Sequence, residues 1–225
     1  MHQTVDGERY LVLYPMLAPN RRLERQPESL IGAMRSRGMS MDRIIDLTAY
    51  EAEDKFLEGT GSMILDREHG VAFAALSPRT HLDVLDDFAS QTGYRHVAFQ
   101  SVDPEGTPVY HTNVIMSVGA KFAVLCEESI ADKDERARVL KELHDLGKTV
   151  IDISFDQVLK MCGNILELQD KEGQSVIVMS RTAFDHFTAD QKSTLAEFGA
   201  LLPVDIPVIE AVGGGSARCM LGEVF

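Results

Sequence analysis

The feature that most constrains this chain is a repeat. Segments 27–38, 80–93, 132–147 and 188–199 carry apolar residues at helical spacing, and each ends at a glycine. Those glycines, Gly38, Gly93, Gly147 and Gly199, lie 55, 54 and 52 residues apart. A closing glycine suits the left-handed position just past a helix. Leu82, Leu85 and Phe88 fall on one face, as do Leu140 and Leu143. Asp132 with Glu135, and Thr188 with Gln191, have the spacing of a capping box.

Short apolar runs flank every helix. Runs 43–47, 96–99, 150–153 and 204–208 follow the helices. Runs 10–14, 71–76, 122–125 and 176–179 precede them, after Gly7, Gly70, Gly119 and Gly173. Three of these have a further run before them, at 62–65, 114–117 and 165–168. The pattern predicts an α/β fold of pseudo-symmetric ββαβ units recurring about every 52 residues. The first unit is expected to lack its opening strand. The last is expected to have only that strand, at 217–225. Residues 1–225 are then one domain of three whole units and two halves. A closed ring needs further residues, expected before Met1. An open array or pairing with a second copy as a homodimer are the alternatives.

The loops before the opening strands bring chemistry together. They are Glu58-Gly59-Thr60-Gly61, His111-Thr112-Asn113, Cys162-Gly163-Asn164 and Arg218-Cys219. Gly61, Asn113, Asn164 and Arg218 hold one equivalent position, 52, 51 and 54 residues apart. Equivalent positions in a ring stand at one height around its axis. Glu58, His111 and Cys219 are therefore expected to converge as carboxylate, acid/base and nucleophile. Each taken alone is an ordinary solvated Glu, a surface His or a buried Cys. Gly213-Gly214-Gly215, just before Cys219, lets backbone approach a ligand or a developing charge.

Composition narrows the classes. The net charge is −13, from 35 acidic and 22 basic residues without a basic run, which argues against nucleic-acid binding. Three cysteines do not suggest a disulfide framework and point to free thiols in a reducing, cytoplasmic setting. No apolar stretch has transmembrane length, and residues 1–10 show no signal-peptide core. No CxxC or HxxxH spacing supports a metal, and no cofactor is expected. Cys126 is expected in the core and Cys162 is expected to be structural.

These residues resemble the arginine deiminase and amidinotransferase superfamily. The stretches that carry the resemblance are Phe56 to Ser62, Leu76 to Thr80, Tyr110 to Asn113, Met161 to Asn164 and Gly213 to Met220. Pro15-Met16 and the segment from Asn20 to Arg25 fit as well, so nearly the whole chain is covered. The nearest likeness is to bacterial amidinotransferase-like proteins that include citrulline-utilisation hydrolases. The resemblance implies an α/β propeller of five ββαβ units (the pentein fold), of which this chain has about four. It also implies a small guanidino or ureido amino acid as substrate. Cys219 is then the nucleophile, His111 the acid/base, and Glu58 the carboxylate that orients His111 or the substrate. Arg79 matches a family arginine for the substrate carboxylate, assisted by Arg22, with Asn164 and Arg218 lining the site. The family's His-x-Asp reads His111-Thr112-Asn113 here, and its Glu-Gly-Gly-Asp reads Glu58-Gly59-Thr60-Gly61. An amide in place of a carboxylate favours a neutral ureido group over a guanidinium. Transfer to an amine acceptor, or an inactive truncated pseudoenzyme or binding protein of the same fold, are the competing expectations.

Overall fold

The computed structural model describes the backbone of residues 2–3 and all of residues 8–222. Gly7 and residues 223–225 lie outside this set. Four three-stranded sheets follow one another along the chain, each built the same way. The opening strand pairs antiparallel with the central one. The central strand pairs parallel with the strand that returns after the helix.

The first unit is β1 (His2–Gln3), β2 (Arg9–Leu13), α1 (Pro19–Arg22), α2 (Pro27–Arg35) and β3 (Arg43–Asp46). The second is β4 (Ile64–Asp66), β5 (Val71–Leu76), α3 (Leu82–Thr92) and β6 (Arg95–Gln100). The third starts with the single turn α4 (Thr112–Ile115), then β7 (Met116–Val118), β8 (Phe122–Leu125), α5 (Lys133–Asp145) and β9 (Thr149–Asp152). The fourth has α6 (Phe155–Val158), β10 (Leu166–Gln169), β11 (Ser175–Ser180), α7 (Arg181–His186), α8 (Ala189–Ala196) and β12 (Ala200–Val204). The chain then runs through α9 (Pro207–Gly213) and the turn α10 (Ala217–Met220).

Four expectations change. The first unit does have an opening strand, because His2 pairs with Tyr10 and Gln3 with Arg9. Two polar residues make no apolar run, so periodicity could not show it. The last strand of the fourth unit is Ala200–Val204, and residues 207–213 are helical. The strand runs through Pro203, which has no N–H to donate. Among the described residues β12 pairs only with β11, though, and an edge strand tolerates the missing N–H. Residues 217–220 form a helical turn where a strand was expected, and the end of that run lies outside the described residues. Gly199 is not left-handed, unlike Gly38 (φ 74°), Gly93 (φ 78°) and Gly147 (φ 72°). It is needed for space: a Cβ there would sit 2.8 Å from the Ser175 carbonyl oxygen.

Caps set the helix starts. Thr188 and Gln191 form both halves of a capping box at α8. Asp132 accepts from the N–H groups of Asp134 and Glu135, while Glu135 turns away to accept from Gln100 N–H. The central strands carry the core. Phe73, Phe99, Phe122, Leu125 and Met116 are fully buried in one cluster, and Tyr10, Leu57 and Phe88 in another.

The opening strands β4, β7 and β10 border a cavity of about 680 Å³, closed in part by Arg218 and Leu221. Lys148, on the edge of this region, is wholly buried. It pairs with Asp66 at 2.8 Å and donates to the carbonyls of Gly119 and Ala120 at 3.1 and 2.9 Å. That ion pair joins the second unit to the third. No described helix is long and apolar enough to cross a membrane.

Candidate active site

The four equivalent loop positions are linked one to the next. Asn113 N–H donates to Gly61 O at 3.2 Å, and Asn164 Nδ2 donates to Asn113 O at 2.9 Å. Arg218 N–H donates to Asn164 Oδ1 at 3.1 Å. Equivalence along the sequence thus becomes a hydrogen-bonded chain across the ends of the opening strands.

Glu58 and His111 meet on this chain. His111 Nε2 lies 2.7 Å from Glu58 Oε2, although the residues are 53 apart in sequence. An ionised carboxylate can only accept, so Nε2 is the donor in this bond. Gly61 makes room for the ring: a Cβ there would stand 2.8 Å from His111 Cε1. Glu58 is held from several sides. Its Oε1 accepts Leu17 N–H at 2.9 Å, and Arg79 Nη1 stands 3.4 Å from Oε2. Burial raises its pKa, but the bonds from His111 and Leu17 and the charges of His111 and Arg79 outweigh it. The carboxyl sits below its ordinary 4.5. The Ser62 hydroxyl fastens this corner, accepting Glu58 N–H at 2.8 Å and donating to Arg79 O at 2.7 Å. Thr112, fully buried, ties the His111 turn to Ser62 O and Ala75 N–H.

Cys219 is held by two amides. Asn164 Nδ2 lies 3.2 Å from its sulfur and Asn113 Nδ2 lies 3.5 Å away. The Cys219 backbone N–H also points to Asn164 Oδ1, at 3.4 Å. Cys219 is exposed, whereas Cys126 and Cys162 are buried, and burial pushes both of those thiols up to about 12. Among the described cysteines, Cys219 alone has access to a substrate. Gly215 approaches it closely, with its would-be Cβ 3.1 Å from Sγ. Asn113 Oδ1 is buried and makes no hydrogen bond among the described residues.

Two of the arginines expected at the site have protein partners of their own. Arg22 Nε donates to Met16 O at 2.9 Å and pairs with Glu51 at 3.3 Å. It thereby holds the segment whose Leu17 N–H reaches Glu58. The Arg218 guanidinium donates to Leu221 O at 3.3 Å, and the residue lines the cavity under the opening strands. Its backbone N–H joins the chain of amides. Arg79 keeps a partly exposed guanidinium beside Glu58. Among the described residues no group of three or more His, Cys, Asp or Glu could hold a metal ion.

Sequence reasoning missed Tyr110. Its ring lies 4.9 Å from the His111 ring, and the Arg79 guanidinium carbon lies 5.4 Å from its centroid. No spacing rule singles out a tyrosine that merely precedes a catalytic candidate. Leu17 was missed for another reason, since it acts through its backbone.

A family model for N,N dimethylarginine dimethylhydrolase, eukaryotic, matches residues 1–225. The chain belongs to that family. The dimethylarginine dimethylhydrolase family and the solved structures below fall in the pentein superfamily that the motifs imply. The unliganded structure of ArgZ, an arginine dihydrolase of the ornithine-ammonia cycle in cyanobacteria, is 17% identical with TM-score 0.71. The match covers 97% of this chain and 31% of that one. The N-terminal domain of ArgZ covalently bound to a reaction intermediate is 17% identical with TM-score 0.69, covering 97% of this chain and 71% of that one. A dimethylarginine dimethylaminohydrolase adduct with 4-chloro-2-hydroxymethylpyridine is 13% identical with TM-score 0.57, covering 93% and 71%. No curated protein matches the sequence. At these identities the structures show a shared fold.

Proposed function

We propose that this chain is a cysteine-dependent hydrolase of the C–N bond in a guanidino or ureido compound, working through a covalent adduct on Cys219. The observation that carries the reading is the meeting of an exposed thiol, two amide donors and a Glu58–His111 pair on one hydrogen-bonded chain of loops. Family membership and the covalent intermediate of ArgZ support the same chemistry.

The Cys219 thiolate attacks the central carbon and forms the S–C bond. His111, oriented by Glu58, delivers a proton to the departing nitrogen as the C–N bond breaks. His111 then takes a proton from the water that attacks the adduct, and the S–C bond breaks to restore the thiolate. Donors aimed at the sulfur stabilise negative charge there before attack and after release. Arg79 binds the substrate carboxylate. Asn113 Oδ1, buried and unpaired, accepts from a substrate N–H.

The nature of the reacting group follows from what faces it. Glu58 already accepts from His111, Leu17 and Arg79, and Asn113 supplies an amide where a carboxylate would pair a guanidinium. This supports a neutral ureido amino acid such as citrulline. The family and the arginine dihydrolase neighbours support an arginine-type guanidino compound. The fold is read as four of the five blades of a pentein ring, a reading supported by the common cavity of β4, β7 and β10. Three free cysteines fit a reducing compartment such as the cytoplasm.

Amine or ammonia release from citrulline, arginine and N,N-dimethylarginine separates these substrates. Turnover of at least one, abolished in Cys219→Ala, is the expected result. Turnover of the guanidino compounds alone removes the ureido preference. Undiminished turnover in Cys219→Ala removes the nucleophile.

A further inference from the structure

We propose that Tyr110 is a positioning residue of this site, a strut that holds the glycine turn carrying Cys219 against the wall formed by His111 and Arg79. The inference rests on Cys219 and His111 acting together. They come from loops far apart in sequence, and their relative placement must be held by something that touches both sides. Tyr110 is covalently joined to His111. Its hydroxyl donates to Gly214 O at 3.3 Å, five residues before Cys219.

The turn needs such a strut. Gly214 has φ 66°, and a Cβ there would meet nothing within 4 Å. Gly213 would meet only a methyl of Ile209, at 3.8 Å. The outer side of the turn is therefore open. Its far end is tied down by Glu210, which accepts from the Ser216 hydroxyl at 2.6 Å and from Thr182 at 2.7 Å. Tyr110 supplies the second anchor, at Gly214. A turn pinned at one end pivots, and a turn pinned at both keeps its sulfur in register with the imidazole.

The other face of Tyr110 works on the opposite wall. Its ring is tilted 49° to the His111 ring, and the Arg79 guanidinium lies over it. The Tyr110 carbonyl accepts the Ser77 hydroxyl at 2.9 Å, which fixes the backbone. Burial and the negative charge of Cys219 raise the phenol pKa, so the hydroxyl remains a donor when the sulfur is ionised. At 43% exposure the residue also presents an edge to an entering substrate.

Tyr110→Phe removes the hydroxyl and keeps the ring. Misplacement of reacting groups by about 1 Å costs up to about 100-fold in rate, so kcat is expected to fall at least tenfold with KM within about twofold. Iodoacetamide is expected to alkylate Cys219 severalfold faster, because the turn is freed, while Cys126 and Cys162 stay unlabelled. Tyr110→Ala also takes the ring from under Arg79, so KM is expected to rise as well. An unchanged alkylation rate in Tyr110→Phe overturns the proposal, as does labelling of the two buried cysteines, which would mean general loosening. Failure of the nucleophile assignment shows separately, as retained turnover in Cys219→Ala.

Discussion

Asn164 grips Cys219 at two points: its Oδ1 lies 3.4 Å from the cysteine backbone N–H, and its Nδ2 lies 3.2 Å from the sulfur. The same Oδ1 accepts Arg218 N–H, and the same Nδ2 donates to Asn113 O. One buried amide thus orients the Cys219 thiol and joins three loops.

Replacing it tests both jobs. Asn164→Asp keeps an acceptor for the two backbone N–H groups but turns a carboxylate oxygen toward the sulfur. Loss of one preorganised donor commonly costs about 100- to 1000-fold in kcat, and repulsion adds to it here. A drop of at least about 100-fold in kcat is expected. Alkylation of Cys219 by iodoacetamide should slow in parallel, with the far-ultraviolet circular dichroism unchanged.

Gly61→Ala tests the seat of the imidazole. The new Cβ would lie 2.8 to 3.0 Å from three atoms of the His111 ring, closer than real contacts allow. The ring must move, and its 2.7 Å bond to Glu58 must lengthen or break. A fall of about 100-fold in kcat is expected, because a displacement of about 1 Å in a catalytic group has that effect. The check is steady-state kinetics beside a thermal melt, which should shift little.

The sequence made the loops of the candidate site legible because repetition places chemistry. Glu58 and His111 share no local motif, yet their equivalent loops put them in bonding distance. Gly38, Gly93 and Gly147 were readable because a left-handed residue after a helix leaves little choice but glycine. Gly199 was read for the wrong reason, since its constraint is steric and comes from Ser175 on the neighbouring strand. β1 is too short and polar to carry a period, and β12 ends at Val204, where the expected run 204–208 begins. The destinations of Arg22 and Arg218 were also hidden. A guanidinium can reach carbonyls several residues away, and only packing decides which.

Glu58 gives a pH signature. Its folded-state pKa lies below 4.5, so its contribution to stability is complete above the unfolded value. That contribution is lost as the pH falls below about 4.5 and through the depressed folded value. The urea midpoint of the wild type is therefore expected to drop between pH 5 and about pH 3 by more than that of Glu58→Gln. At neutral pH, Glu58→Gln should be the less active protein, because an amide no longer fixes the His111 tautomer by charge.

Lys148 and Asp66 test the joint between units. Both side chains are buried and 2.8 Å apart, and Asp66 also meets His69 Nδ1 at 2.9 Å. Lys148→Met removes the cation and leaves a buried carboxylate. Breaking a buried pair from one side costs about 3–5 kcal/mol, so a loss at the lower end of that range is expected in chemical denaturation. Replacing both, as Lys148→Met with Asp66→Leu, should recover much of it.

The adduct on Cys219 is the most direct test of the proposed chemistry. Rapid acid quench of the enzyme turning over its best substrate, followed by peptide mass spectrometry, reads it. The expected result is a mass increase on the Cys219 peptide equal to the substrate less its departing amine or ammonia, absent in Cys219→Ala, which should also be inactive. Full turnover by Cys219→Ala would contradict the assignment.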